Sequence, residues 1–408
     1  MGAARLCDNK IKVRSRKEYA SDSEPSTWSH GPDRKFPERV LQKASDMTSS
    51  PLSGIKVLDL SRVLAGPLCT MLLGDLGAHV IKVERPGSGD DTRGWGPPFD
   101  ARGESAYFLS CNRNKQSLTA DFADDSDREL LFALMRSADV VVENFLPGVL
   151  TRHGLDPSRL LRESGELIWC TIGGYPERPG RPGYDFAVQA ESGWMSVTGD
   201  PGGQPVRTAV ALVDVLTGKD AAIAVLAALV GRRRQSAIER HLTVTLAGSA
   251  RAALVNVAQN ALVSGAEAAR WGNAHANLVP YQLFETADRP IVVAVGSDAQ
   301  WRAFAGILGD SALVADAALR TNAGRVTHRV RCAAAVQSAL RGSGANEWKE
   351  RCERAGVPVG EVRTVLEALA DAGASAVTGM PSSVGGAVRL PPPRLGEHSA
   401  AIRARGWG

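Results

Sequence analysis

Apolar and polar positions fall into short, regular runs from residue 55 onward. Ile55 to Leu60 is a β-branched apolar run, Gly66-Pro67 punctuates it, and Leu68 to Leu76 repeats apolar residues at helical spacing until Gly77. His79 to Glu84 then reads as a second strand. A strand, helix, strand unit of about 30 residues predicts a parallel pair with a right-handed crossover. Apolar strands follow at Val140 to Asn144 and Leu167 to Ile172, with a helical pattern over Gly148 to Glu163 between them. Helices over Val215 to Arg234 and Gly248 to Ser264 are joined through an alternating strand, His241 to Leu246. This half predicts an α/β layered domain. Near Trp271 the character changes: Ile291 to Val295 reads as a buried strand, and Ala-rich helical sequence runs on to about Ala355, as in a second, smaller domain. Gly356-Val357-Pro358 and Pro391-Pro392-Pro393 read as extended punctuation.

Composition narrows the class. The 408 residues are 44% hydrophobic and 23% charged, which fits a soluble globular chain with ample core. A net charge of +4, with 48 basic residues spread along the chain, argues against nucleic acid and suits a small anionic ligand. The six cysteines, Cys7, Cys69, Cys111, Cys170, Cys332 and Cys352, form no C-x-x-C pair, which argues against a zinc or other metal site and against a disulfide framework. A reducing cytoplasm is the expected compartment. The most apolar stretch, Ala221 to Gly231, is about half the length a bilayer demands, so it reads as a buried helix, with no membrane partner expected. Residues 1–50 mix Lys10, Lys12, Arg14 and Arg16 with Asp8, Glu18, Asp22 and Glu24, and carry no leader pattern; they read as a disordered extension. Met47 offers an alternative start directly before the first strand.

Generic motifs exclude more than they assign. The opening strand, helix, strand unit ends at Glu84, where a dinucleotide fold would hold ribose. Its turn, Ser61-Arg62-Val63-Leu64-Ala65-Gly66-Pro67, nevertheless lacks the G-x-G-x-x-G that admits a pyrophosphate. Phosphate-loop, zinc-protease and serine-hydrolase motifs are also missing from the sequence. Asp214 stands immediately before the helical run from Val215, where its plain role is an N-cap accepting backbone N–H groups. The same position would keep the carboxylate ionised, as a carboxylate nucleophile requires, so the two roles are compatible. Arg85 and Asn144 each close a strand; a solvated charge and a turn asparagine are the plain accounts, ligand contacts the sharper ones.

A longer series of residues is more specific than any of these. Gly54-Ile55-Lys56-Val57-Leu58-Asp59-Leu60-Ser61-Arg62-Val63-Leu64-Ala65-Gly66-Pro67, Ile81-Lys82-Val83-Glu84-Arg85-Pro86-Gly87, Val142-Glu143-Asn144-Phe145, Gly183-Tyr184-Asp185, Asp214 with Thr217-Gly218, Gly272-Asn273-Ala274-His275 and Leu395-Gly396-Glu397-His398 follow in order. Together they resemble the family III CoA-transferases (the CaiB/BaiF type). Gly89-Asp90-Asp91-Thr92-Arg93 and Asn112-Arg113-Asn114-Lys115 are most similar to the succinyl-CoA:glutarate or hydroxymethylglutarate branch.

The resemblance implies a transferase of sulfur-containing groups, with Asp214 as a nucleophile that forms first a mixed anhydride and then an aspartyl-CoA thioester. Backbone N–H groups near its helix start would stabilise the oxyanions. Coenzyme A or an acyl-CoA enters as substrate, with no tightly bound cofactor, and a dicarboxylic acid such as glutarate is the expected acceptor. CoA contacts carry over onto Val63, Leu64, Arg85, Asn144, Phe145 and Arg152, with Arg85 and Arg152 meeting phosphates. Arg93 or Arg113 would hold the acceptor's distal carboxylate. The implied fold is α/β, a large Rossmann-like domain with a parallel sheet and a smaller inserted α/β domain. Its expected boundaries are 1–50 for the extension, 51–265 for the large CoA-binding domain, 266–350 for the small domain and 351–408 for a segment returning to the large one. An interlocked homodimer, each chain an open ring threaded by the other, is implied as well. Two rivals remain, a 2-methylacyl-CoA racemase and a non-catalytic acyl-CoA-binding relative. The racemase pairs the aspartate with a histidine where this chain has Tyr184, a poor base at neutral pH.

Overall fold

A computed structural model of the chain describes residues 50–370, 378–384 and 386–408. The expected N-terminal extension lies outside the described residues. Six parallel strands form one sheet: β1 (Lys56–Asp59), β2 (His79–Glu84), β3 (Lys115–Thr119), β4 (Val140–Glu143), β5 (Ile168–Gly173) and β6 (His241–Thr245). Their order, β3-β2-β1-β4-β5-β6, is that of a doubly wound sheet. The strand order reverses between β1 and β4, so the crevice beyond their carboxyl ends is where such a sheet receives a ligand.

Successive residues of each strand feed opposite cores, as a sheet covered on both faces requires. Val57, Val80, Val140 and Ile168 pack on one side with the helix Ala65–Asp75 and the long helix Leu212–Gly231. Leu58, Ile81, Val141 and Trp169 pack on the other with Leu131, Leu160 and the C-terminal Ile402 and Trp407. The two helices of the first face approach closely because position 218 is glycine. A Cβ there would lie 2.6 Å from the Ala65 carbonyl oxygen. Asp214 stands one turn before Gly218 and is thereby drawn up to the loop that follows β1.

A second core surrounds an antiparallel sheet of β7 (Tyr281–Phe284), β8 (Ile291–Ala294) and β9 (Val359–Glu361), packed on Trp301, Phe304 and Trp348. Since β9 pairs with β8, this small sheet draws residues from beyond position 350.

Several elements differ from the sequence pattern. β3 escaped it because Lys115-Gln116-Ser117 is polar, and its lysine is fully buried on an internal carboxylate instead of facing water. The helix expected over Gly148 to Glu163 is two, Val149–Arg152 and Pro157–Glu163, with Asp156 capping the second through the Ser158 amide at 3.0 Å. The helix expected over Gly248 to Ser264 likewise divides into Leu246–Ala252 and Val255–Ser264, with Val255 at a φ of 38°.

Candidate active site

The carboxyl ends of β1, β4 and β5 open onto a cavity of about 500 Å³ whose wall includes Val63, Leu64, Arg85, Asn144, Phe145 and Asp214. Six of the seven positions singled out from sequence are thus brought together. Arg152 is the exception: it is exposed and does not line this cavity. Its helix is one turn long, and Arg152 stands two positions, about 200° of rotation, from the inward-facing Leu150.

The loop after β1 is held from beneath by buried charge. Asp59 accepts hydrogen bonds from the Ser61 amide (3.0 Å), Thr70 Oγ1 (2.7 Å) and Lys115 Nζ (2.9 Å). Lys82 donates to the Ser61 carbonyl at 2.8 Å and pairs with Asp90 at 2.9 Å, both side chains being inaccessible to water. Burial pushes the Asp59 carboxyl up, but Lys115, Lys82 and Ser61 outweigh it and hold it below the usual carboxylate range. Asp90 in turn accepts from the Val63 amide at 3.3 Å. Val63 has a φ of 72°, a left-handed conformation that a β-branched residue adopts only when its surroundings impose it. This network specifies the loop that forms one wall of the cavity.

Asn144 ties that loop to β4. Its Oδ1 accepts from the Arg62 amide at 3.0 Å and its Nδ2 donates to the Arg62 carbonyl at 2.8 Å, so its amide is spent on backbone. Phe145 turns its ring edge-on to Phe122, with centroids 5.7 Å apart, and carries the Arg62 guanidinium 5.4 Å above its face. These two rings and His153 line a smaller adjoining cavity of about 210 Å³, and Arg62, Arg85 and Phe145 line both.

Asp214 is not the N-cap. The long helix begins at Leu212, and Asp185 from an earlier helix, Asp185–Glu191, accepts the Val213 amide at 2.8 Å and the Asp214 amide at 3.4 Å. Those two amides are therefore already bonded and are not free to stabilise an oxyanion. Asp185 is fixed by Gln189, which donates to it at 2.5 Å and accepts the Thr208 amide at 2.9 Å. Burial and the Asp185 charge push the Asp214 carboxyl up to about 7. The low pKa expected of a capping carboxylate is thus reversed: the capping bonds went to another residue, and a like charge took their place.

The two arginines expected as alternatives for the acceptor's distal carboxylate are both engaged by internal carboxylates. Arg93 grips both oxygens of Glu84 at 2.7 Å and Glu104 at 2.6 Å, and lies 3.6 Å over the Phe108 ring. Arg113 holds Asp75 through two bonds of 2.9 and 2.6 Å. Both serve the fold. Residues to which the sequence gave no separate role are Asp185, Arg62, and the pair Gly174 and Gly183. An added Cβ on Gly174 would come within 2.6 Å of the Gly183 amide nitrogen, so the cavity wall admits no side chain there. Tyr107 is a further neighbour: burial, then the Asp214 charge, push its hydroxyl up to about 12.

Comparison with known proteins settles the family. The model for CoA-transferase family III matches residues 52–384. The chain belongs to CoA-transferase family III. It is 41% identical to the succinate–glutarate CoA-transferase of Agrobacterium fabrum over 79% of this chain and 82% of that protein. It is 38% identical to human succinyl-CoA:glutarate CoA-transferase, covering 88% of this chain and 86% of the relative. Among solved structures, a CaiB/BaiF family protein from Brucella suis superposes with a TM-score of 0.77 at 38% identity, over 87% of this chain and 99% of that one. As a family III CoA-transferase the chain uses CoA thioesters as substrates. No described helix is long and apolar enough to cross a membrane.

Proposed function

We propose that this family III enzyme moves CoA from a donor such as succinyl-CoA to a dicarboxylic acid through covalent intermediates on Asp214. The observation that carries the reading is the Asp214 carboxylate itself, set in the cavity wall with a pKa lifted to about 7. A carboxylate of raised basicity is a better nucleophile, and near neutral pH a large fraction of it is ionised. An Asp214 oxygen attacks the thioester carbonyl, the C–S bond of the resulting adduct breaks, and CoA leaves as thiolate, giving a mixed anhydride of the donor acid and Asp214. The thiolate then attacks the Asp214 carbonyl carbon, releasing the donor acid and leaving an aspartyl-CoA thioester. The acceptor carboxylate reverses both steps. Thioester energy is retained at each exchange, so no external energy source enters. The substrate pair follows the names of the relatives, which include succinyl-CoA and glutarate.

The CoA contacts are proposed at Val63, Leu64, Arg85 and Phe145, with Asn144 acting through the backbone of Arg62. The purine would stack in the smaller cavity between Phe122, Phe145 and His153, where flat rings meet. The two-base racemase reading is disfavoured because, among the described residues, no histidine lines the Asp214 cavity, while Tyr184 does. A second copy of the chain is the proposed partner: Val255, Leu262 and Val263 are 69%, 77% and 77% exposed on a helix with no buried residue. Five buried free cysteines suit a reducing cytoplasm.

Intact-mass measurement during incubation with succinyl-CoA tests the central step. A CoA adduct that hydroxylamine removes, and that Asp214→Ala never forms, is the expected result. Full transfer activity in Asp214→Ala would overturn it.

A further inference from the structure

The Arg62 guanidinium stands at the junction of the two cavities, in the walls of both. Other arginines nearby are saturated, Arg93 by Glu84 and Glu104, Arg113 by Asp75, and Arg181 by Glu191 at 2.7 and 2.5 Å. Arg62 has a single 3.3 Å ion pair with the exposed Asp91, and its Nε–H is buried with no acceptor among the described residues. A buried donor left unpaired is unfavourable, so its persistence here needs a reason. The side chain is not loose. Asn144 fixes the Arg62 backbone at both N and O, and the Phe145 face supports the guanidinium.

Arg85 stands at the same junction, exposed, and no described carboxylate pairs with it. Among the acids lining the two cavities, Glu84 and Asp90 are bound to Arg93 and Lys82, Asp91 and Asp121 are exposed, and Asp214 is the nucleophile of the proposed reaction. Two cations between a thioester cavity and an aromatic cavity match a doubly charged diphosphate in the middle of an extended ligand. Guanidinium donors bind phosphate oxygens more strongly than a solvated carboxylate pair holds together.

We propose that Arg62 is a second binding arginine for the CoA diphosphate, closing with Arg85 on its two phosphates and exchanging Asp91 for a phosphate oxygen. This rests on the acyl-CoA reading of the two cavities. Arg85 supplies one arm; Arg62 supplies the other, with its unpaired Nε–H meeting an acceptor only when the ligand arrives.

The test compares CoA with a substrate lacking the nucleotide. Calorimetric titration of Arg62→Met with CoA is expected to give a Kd raised about tenfold to a hundredfold, as loss of charge-assisted bonds implies. Its kcat/KM with succinyl-pantetheine should fall far less than with succinyl-CoA, and Arg62→Lys should recover part of the CoA affinity. Asp91→Asn, which removes the competing carboxylate, should lower the Kd. An unchanged CoA affinity in Arg62→Met overturns the proposal, as does an equal loss with both substrates. A raised KM for the dicarboxylate alone overturns it too and moves Arg62 to the acceptor. A raised or unchanged Kd in Asp91→Asn overturns the exchange step. Wild-type protein that binds no CoA would instead sink the underlying reading of the cavities, and this proposal with it.

Discussion

The Asp185 carboxylate caps the helix that carries Asp214, accepting the Val213 amide at 2.8 Å. One aspartate thus performs the structural task and leaves the other for chemistry. The arrangement sets two acidic groups close together, and that proximity, with burial, lifts the Asp214 carboxyl.

Activity should follow the ionisation of Asp214. Because the deprotonated form attacks, kcat/KM for the acyl-CoA is expected to rise with pH and level off above about 7. A pH profile flat from 5 to 9 would remove Asp214 as the titrating nucleophile.

Stability should carry the opposite trend. The folded pKa is about 7 against 3.8 unfolded, so the folded state holds this proton more tightly. Its stabilising effect is complete below the unfolded value and lost as pH rises through the folded one. Asp214→Asn is therefore expected to be more stable than wild type above pH 7, by up to about 4 kcal/mol, with the gap closing towards pH 4. Urea melts at several pH values measure it.

Gly218→Ala should cost about 1–3 kcal/mol, because the new methyl meets the Ala65 backbone and the two helices must part. As Asp214 lies one turn away, kcat should fall as well. Denaturant midpoints and steady-state rates report both effects; an unchanged pair of values would show that the helices relax freely.

Removing Asp90 alone should be severe. Asp90→Leu removes the ion-pair partner of the buried Lys82, at a cost of about 3–5 kcal/mol, whereas Lys82→Met with Asp90→Leu should recover much of it. The double variant should still transfer CoA poorly, since the Val63 amide has lost its acceptor.

Arg113→Gln should lower stability without changing the KM for the acceptor acid, because Arg113 is occupied by Asp75. A selective rise in that KM would restore the acceptor role expected from sequence.

Much of the large sheet was legible because its strands are apolar and β-branched and its helices are strongly periodic. β1, β2, β4 and β5 lie where the pattern put them, within a residue or so at each end. β3 was not legible, since a buried lysine imitates an exposed one until its carboxylate partner is found across the sheet. Val63, Leu64, Arg85, Asn144, Phe145 and Asp214 were reached through an ordered series of motifs, and they share one cavity. Arg152 was carried along by the same series, but local helix geometry turns it outward.

The order of apolar and polar residues by itself determined the α/β class and the parallel opening unit, because these depend on periodicity, and the ordered motifs carried the resemblance to the family, because they are contiguous in the chain. Only the tertiary structure decided which aspartate caps and which is raised, which arginines are spent on internal carboxylates, and that Arg62 is left with an unpaired donor. Those outcomes depend on charges far apart in sequence meeting at short range in a medium that screens them poorly, and no local pattern encodes that meeting.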